Sequence, residues 1–282
     1  MTKIKSPKDI LFSLGIYATA IAVVVMFVLL LSDLLIGGLN KLSLEFLIAE
    51  PSNVGRDGGI GPILVSTFLI LLVALLASVP LGLGTAVWLA EYTRQGNRTA
   101  RLVRLSLDVL AGVPSIVFGL FGYAFFCGYL GMGFSILSGG LTLACMMLPL
   151  IIRTSEAGLS AVTNDWRSGG AALGISRAVI LWQVLLPAAA PAIAAGLILA
   201  IGRATAETAA LIFTSGYVDR MPESLHDSGR ALAVHIYDLS MNVTGGDQAA
   251  YATALVLIVL IVIMNLLAVS LSDRWLARRI SQ

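Results

Sequence analysis

Charged side chains are scarce in this chain of 282 residues: Asp, Glu, Lys and Arg make up only 12% of it, whereas hydrophobic residues make up 58%. The mean hydropathy is +0.93. These values exclude an ordinary soluble globular domain and predict a protein with several membrane spans. The first apolar run is too long for a cleavable secretory signal and lacks a small-residue cleavage site, so we expect it to be a span.

Residues that usually carry catalysis or bind metals are also few. Cys127 and Cys145 lie in apolar runs, which indicates small buried side chains rather than a disulfide or a metal pair. His226 and His235 have no cluster of metal ligands around them, so we expect two solvated loop residues. None of the four lysines follows a glycine-rich loop, and the motifs HExxH and GxSxG are absent. The sequence therefore predicts a protein that is not an enzyme and binds no metal or cofactor itself.

Six apolar runs are long enough to cross a bilayer, which takes about 20 helical residues. We expect an all-α polytopic membrane protein whose six transmembrane helices cover residues 10–36, 60–90, 105–129, 136–152, 189–215 and 249–271. The predicted organisation is an N-terminal helix and external loop over residues 1–59, a membrane domain over residues 60–272 and a cytoplasmic tail over residues 273–282.

The basic residues are unevenly distributed between the two sides of the membrane. Thirteen of the 18 arginines and lysines lie at the two termini or in residues 91–104 and 153–187, four lie on the opposite side, and Arg203 lies within the fifth span. Short loops rich in Arg and Lys stay in the cytoplasm. Both termini and residues 153–187 are therefore predicted to be cytoplasmic, and residues 216–247 external.

Residues 153–187 form a long polar segment between the fourth and fifth spans. The segment contains Ser168-Gly169-Gly170-Ala171-Ala172-Leu173-Gly174, then nine residues, then Val184-Leu185-Leu186-Pro187. Small side chains allow a short helix to lie in a groove of another protein, and a glycine permits a sharp turn. An ordinary connector rich in Gly and Ala is the alternative interpretation.

The spacing of this segment resembles the EAA loop of ABC importer permeases, on which the ATP-hydrolysing subunits dock. Ser168 replaces the glutamate that the family prefers, and Gly169-Gly170 replaces two alanines, which weakens the helix by roughly 0.5–1 kcal/mol per glycine. The resemblance implies that the ATPase contacts Ser168, Gly169, Gly170, Ala171, Gly174 and Pro187.

Arg203 lies near the middle of the fifth apolar run. An arginine at that depth costs roughly 2.5–3.5 kcal/mol even on lenient insertion scales, so it needs a partner and usually has a function. Glu207, four residues later, is on the same helix face. The two charges could form a structural ion pair that makes each tolerable in the membrane. Alternatively, the planar guanidinium of Arg203 binds an oxyanion on a translocation path, and Glu207 holds Arg203 in place.

Other polar residues in the spans are weaker candidates for the path. Ser115 follows Pro114 at a possible break of the third span, and Thr67 lies in the second span. A hydrogen bond back to its own helix is the alternative role of each hydroxyl. Arg104 and Asp108 lie four residues apart at a cytoplasmic helix end, and we expect them to form a structural pair.

The segment Gly202-Arg203-Ala204-Thr205-Ala206-Glu207-Thr208-Ala209-Ala210-Leu211-Ile212-Phe213-Thr214 resembles a signature of the permeases of high-affinity phosphate importers. Gly58-Gly-Ile-Gly-Pro62, the run from Pro80 to Glu91-Tyr92, and Pro114-Ser-Ile-Val-Phe-Gly-Leu-Phe121 are similar to that family too, and residues 232–240 are closer to its A-type subunit. The resemblance covers roughly residues 58–272. Ala206 and Ala210 stand where the family has Gly and Pro, so we expect a straighter fifth helix.

The resemblance implies an ABC importer type I permease fold and a multi-pass protein of the inner membrane that moves inorganic phosphate into the cytoplasm. The implied partners are a second homologous permease subunit, two ATP-binding subunits that use ATP and Mg, an extracytoplasmic phosphate-binding protein and membrane lipid, with no nucleic acid. The implied substrate path contains Arg203, Glu207, Thr208, Ser115 and Thr67.

Three other functions are less well supported by the sequence. An ABC permease for another oxyanion or small solute would have the same architecture. An ion-coupled secondary carrier is disfavoured because such carriers often contain inverted repeats, and we see none in the sequence. An intramembrane enzyme is disfavoured by the lack of a catalytic constellation.

Overall fold

The computed structural model describes residues 7–94 and 96–280. Its helices are α1 (Pro7–Gly38), α2 (Leu44–Ile48), α3 (Gly61–Val87), α4 (Arg98–Ala111), α5 (Ser115–Gly122), α6 (Ile136–Ala161), α7 (Asn164–Ala172), α8 (Arg177–Ile180), α9 (Leu186–Thr205), α10 (Ala209–Ile212), α11 (Leu232–Met241) and α12 (Asp247–Ile280). Wider π-helical turns follow three of them, at Trp88–Tyr92, Tyr123–Tyr129 and Leu181–Leu185. Lys3 and Lys5 and the end of the predicted tail, residues 281–282, lie outside the described residues.

A small antiparallel hairpin follows α2. Strand β1 (Pro51–Ser52) pairs with β2 (Asp57–Gly58), and Pro51 lies opposite Gly58. The hairpin belongs to the segment that the sequence predicts to be external.

Five helical segments are long and apolar enough to cross a membrane: Phe12–Lys41, Gly61–Tyr92, Ile136–Ala161, Arg177–Thr205 and Asp247–Ser270. A further span is bent, because α4 and the helical segment Ser115–Tyr129 meet at 105°. Counted as one span, this pair completes the six that were predicted. The bend lies at Pro114, where the sequence suggested a possible break of the third span, since Pro114 has no N–H to donate and disfavours helical geometry at Val113.

Helix α6 packs against both α3 and α9 and lies at the centre of the bundle. Its residues Leu143 and Met147 belong to one buried core with Ile70 of α3. Gly140 allows α3 to approach closely, because a Cβ at this position would lie 2.5 Å from Cγ1 of Val73. The two helices therefore form a tightly packed pair.

Helix α6 is longer than the fourth predicted span, which was expected to end at residue 152. It continues to Ala161, so that Arg153 and Glu156 lie on a helix. The polar segment that was expected to begin at Arg153 therefore begins at Val162. The ion pairs described below explain why the helix continues through charged residues.

Helix α1 lies at the side of the bundle, and its main contact is with α12. The hydroxyl of Tyr251 donates a hydrogen bond to Asp33 at 3.1 Å. Most apolar side chains of α1 are exposed, including Phe12, Met26 and Leu30. A helix with so little protein around it needs lipid or another subunit to cover it.

Candidate functional site: a broken span and a docking segment

The fifth span is broken within the signature segment. Helix α9 ends at Thr205, and α10 begins only at Ala209. The carboxylate of Glu207, between them, accepts the backbone N–H of Ala210 at 3.2 Å. A side chain that binds the free N–H groups of a new helix stabilises the start of that helix and competes with continuation of the preceding one.

The expectation of a straighter fifth helix is therefore wrong. Ala206 and Ala210 favour a helix locally, but α10 is packed against α5. A Cβ on Gly119 of α5 would lie 2.9 Å from Cα of Ala210, so the two backbones are in close contact. This packing and the cap from Glu207 produce the break without the Gly and Pro of the related signature.

Arg203 and Glu207 do not form the ion pair that their spacing allows. Arg203 lies in the last turn of α9 with its side chain exposed, whereas the carboxylate of Glu207 binds Ala210. Among the described side chains, those of residues 12–94 and 96–270, no carboxylate pairs with Arg203. Its guanidinium therefore has N–H groups available for an external anion.

A cavity of about 140 Å³ lies beside Arg203. Arg153 of α6 lines the same cavity, and all the other lining residues are apolar: Leu110, Ala111, Phe118, Met146, Pro149 and Leu150. Charges interact more strongly beside apolar walls than in water. Two guanidinium groups at one apolar cavity make a site that suits an anion.

Arg153 belongs to a chain of ion pairs between α4 and α6. It pairs with Asp108 and, at 3.4 Å, with Glu156, while Arg104 pairs with Glu156 at 2.7 Å. The expected pair between Arg104 and Asp108 is wrong, since each of them reaches across to α6 instead. Two arginines and two carboxylates balance one another here, so Arg203 supplies the uncompensated positive charge at the cavity.

The other predicted path residues lie in different places. Thr67 is buried and does not line the cavity: its hydroxyl donates to the carbonyl of Ile63 at 2.7 Å and accepts the N–H of Leu232 at 2.9 Å, which caps α11. Ser115 is half-buried at the bend of the third span, and Thr208 is half-buried at the break of the fifth. The structure thus brings Arg203 to the cavity, places Glu207 and Thr208 at the break, and gives Thr67 a structural role.

The docking segment, defined here as residues 162–187, folds into α7, a turn and α8 before α9 begins. Gly174 in the turn has a φ of +70°, a conformation that costs other residues roughly 1–2 kcal/mol. The N–H of Ile175 closes the turn by donating to the carbonyl of Gly170 at 3.0 Å. Helix α7 carries four of the predicted docking residues and the first turn of α9 carries another: Ser168, Gly169, Gly170, Ala171 and Pro187.

The docking segment presents a large apolar surface. Trp166, Leu173 and Trp182 are respectively 59%, 78% and 68% exposed. Gly169 on α7 has open space around it. Large exposed apolar side chains beside small residues are typical of a surface that another protein covers.

Arg167, which the sequence did not single out, connects α7 to the bundle. Its Nε lies 3.1 Å from Oε2 of Glu91, and its Nη2 lies 2.6 Å from Oε1 of the same carboxylate. The guanidinium also donates to the backbone carbonyls of Leu159 at 2.9 Å and Val162 at 2.7 Å. Such a two-point arrangement fixes the orientation of both partners.

A second group of charges lies in the predicted external segment. His226 is exposed, as expected, but His235 is 1% exposed on α11, which corrects its assignment as a solvated residue. Nη1 of Arg230 lies 3.2 Å from Nδ1 of His235 and 3.1 Å from Asp238. Burial, together with the charge of Arg230, lowers the pKa of His235 to about 4, so the ring is neutral at pH 7.

Comparison with known proteins gives a family and a fold. The family model described as "Binding-protein-dependent transport system inner membrane component" matches residues 78–282. A Bacillus subtilis protein named "Probable ABC transporter permease protein YqgI" is 34% identical over 281 residues, which cover 94% of this chain and 93% of the relative. The "Phosphate transport system permease protein PstA 1" of Mycobacterium tuberculosis is 34% identical over 213 residues, which cover 75% of this chain and 68% of the relative.

A solved structure shows the same architecture. A chain of a bacterial alginate ABC transporter, in complex with its alginate pentasaccharide-bound periplasmic protein, matches with a TM-score of 0.68 over 95% of this chain and 97% of that chain. The sequence identity is 15%, so the likeness concerns the fold alone. The predicted ABC importer permease fold is confirmed.

Proposed function

Because the chain belongs to the family of binding-protein-dependent transport system inner membrane components, we propose that it carries inorganic phosphate into the cytoplasm as the permease subunit of an ATP-driven importer. The chain itself is a multi-pass inner-membrane protein. Phosphate is favoured by the signature segment 202–214 and by relatives such as the PstA 1 protein of Mycobacterium tuberculosis.

The observation that carries this proposal is the arginine pair at the cavity. Phosphate offers several oxygens to the planar fork of a guanidinium, which can bind two of them at once. Arg203 is available for such a contact, because Glu207 is engaged with α10. Arg153, held by Asp108 and Glu156, adds a second donor at a fixed position.

Glu207 then has a different role from holding Arg203. Its carboxylate caps α10 and so maintains the break in the fifth span. The break ends α9 directly after the turn that carries Arg203. Glu207 therefore keeps Arg203 unpaired at the cavity.

We further propose that this subunit works in an assembly. Two ATP-binding subunits, which bind the ATP and Mg, would dock on the exposed surface around Gly174, and a second homologous permease would complete the path. An extracytoplasmic phosphate-binding protein would deliver the substrate. The large exposed apolar surface of the docking segment supports the first of these contacts.

A permease for another oxyanion is the alternative, since a guanidinium fork also fits sulfate. The name of the Bacillus subtilis relative includes no substrate. Phosphate differs from sulfate because at neutral pH it carries a proton, which it can donate to a hydrogen-bond acceptor.

Transport by the purified importer in proteoliposomes tests the proposal. The chain is co-expressed with a candidate ATPase, a second permease and a phosphate-binding protein from the same organism, and uptake of radiolabelled phosphate is measured. We expect uptake that requires ATP and the binding protein and that excess sulfate does not inhibit. ATP-driven uptake of sulfate in place of phosphate would assign the alternative substrate, and uptake driven by an ion gradient without ATP would identify a secondary carrier.

A further inference from the structure

Helix α7 has few contacts with the membrane-spanning helices. None of its residues is buried, and its most extensive contact is with α8, the next helix in the same segment. A cleft of about 400 Å³ separates it from the end of the second span, and Glu91, Arg167 and Arg177 are among the lining residues. Close packing therefore does not fix α7 against the bundle.

The hydrogen bonds of Arg167 cross this gap. Two of them hold Glu91, at the end of the helical segment that begins with α3. Two others hold the carbonyls of Leu159, in the last turn of α6, and Val162, directly after it. One side chain thus connects the docking helix to the ends of two spans.

One of these two spans, α6, reaches the cavity, and the other, α3, packs against α6. Helices α3 and α6 share the most extensive interface of the described elements, so they move most easily as one unit. Helix α6 also carries Arg153, which lines the cavity with Arg203. A displacement of α7 that is passed to α6 therefore changes the position of Arg153.

We propose that Arg167 and Glu91 are a positioning pair that transmits movement of the docked helix α7 to α3 and α6. The proposal rests on the function proposed above, in which an ATPase docks on α7. The side chains of Arg167 and Glu91 are 25% and 13% exposed, so water screens their interaction less than that of a surface pair. Their two-point geometry resists rotation as well as separation, as a transmitting contact requires.

The test measures coupling in the assembled importer. Glu91→Ala removes the carboxylate and leaves the carbonyl contacts of Arg167 in place. We expect normal assembly with the ATPase and continued ATP hydrolysis. The amount of phosphate carried per ATP should fall by about tenfold, which is the effect expected from the loss of one charge-assisted pair. Glu45→Ala, at an exposed position of α2 outside the docking segment, removes one carboxylate and should leave this ratio unchanged.

An exchange of the two charges separates transmission from simple stabilisation. Glu91→Arg combined with Arg167→Glu restores the pair in the opposite direction, and we expect it to recover part of the coupling that each single exchange loses. An unchanged ratio in Glu91→Ala, or a loss that matches a loss of assembled complex, would overturn the proposal. Failure of the unmodified chain to bind any ATPase would instead refute the proposed function.

Discussion

Arg153 and Arg203 line the same cavity, although one belongs to α6 and the other to α9. Arg153 is held by Asp108 and Glu156, whereas Arg203 pairs with no carboxylate of the described residues. An anion in the cavity therefore meets one guanidinium that is fixed and one that is available. This difference between the two arginines is the physical basis of the proposed phosphate path.

Glu156 should be essential for the stability of the α4–α6 contact. Its side chain is 11% exposed and pairs with both Arg104 and Arg153, so Glu156→Ala leaves two cations close together and should cost about 3 kcal/mol. Asp108 is 63% exposed, and Asp108→Ala should cost at most about 1 kcal/mol. Thermal unfolding of the purified protein in detergent compares the two, and equal losses would contradict the ion-pair chain described here.

Gly174→Leu should disrupt docking. The turn requires a φ of +70° at this position, which a leucine adopts only at a cost of roughly 1–2 kcal/mol. We expect the ATPase to be lost during co-purification, or its hydrolysis to be uncoupled from transport. Gly131→Leu is the matched control, because Gly131 has the same φ of +70° and open space around it but lies in the turn before α6, outside the docking segment. Full transport by the Gly174→Leu protein would count against docking at this turn.

Residues 216–247 should be external. In a chain without its own cysteines (Cys127→Ala and Cys145→Ala), His226→Cys introduces a thiol at an exposed position of this segment. An impermeant thiol reagent should label it in intact cells whose outer barrier is opened. If labelling appears only after the inner membrane is broken, the orientation given by the arginines and lysines is reversed.

The buried His235 should make the protein acid-sensitive. Its pKa is lowered from 6.5 to about 4, so the unfolded chain binds a proton that the folded chain does not. Stability is therefore fully present above pH 6.5 and falls as the pH decreases towards 4, by about 3 kcal/mol at most. His235→Asn can still accept a hydrogen bond from Arg230, and it should reduce the pH dependence of stability in this range. His226→Asn should leave that dependence unchanged. Unfolding midpoints measured between pH 4 and 7 check both.

The sequence predicted the number of spans and the family resemblance because these depend on long apolar runs and on short motifs. It did not predict the break after Thr205, since Ala206 and Ala210 are good helix formers. The break depends on the close contact with Gly119 and on the cap from Glu207, which are tertiary features. For the same reason the four-residue spacing predicted a pair between Glu207 and Arg203, whereas Glu207 accepts the N–H of Ala210.

The extent of α6 was missed for a related reason. Arg153 looks like the start of a polar loop when only the sequence is considered, but its charge is balanced by Asp108 on α4 and by Glu156. The three-residue spacing of Arg153 and Glu156 was an available sign that the helix continues. No comparable sign existed for the contact between Arg167 and Glu91, which are distant in sequence.

Single substitutions of Arg203 and Glu207 test the role of each residue in the proposed path. Arg203→Lys keeps the charge but removes the planar fork, so phosphate uptake should fall while the importer still assembles. Glu207→Gln should have a milder effect, because its carbonyl oxygen can still accept the N–H of Ala210 and maintain the break. Uptake is compared with the amount of assembled complex in the membrane. An effect of Glu207→Gln as large as that of Arg203→Lys would contradict these roles.

The most direct measurement is phosphate uptake by the double variant Arg203→Gln with Glu207→Gln. The variant carries no unpaired charge at the break, so we expect it to insert and assemble in normal amounts. If Arg203 binds the anion, uptake per assembled complex falls by about tenfold or more, which corresponds to roughly 1.4 kcal/mol. Near-normal uptake by this variant would show that the two residues are only structural and would contradict the proposed path.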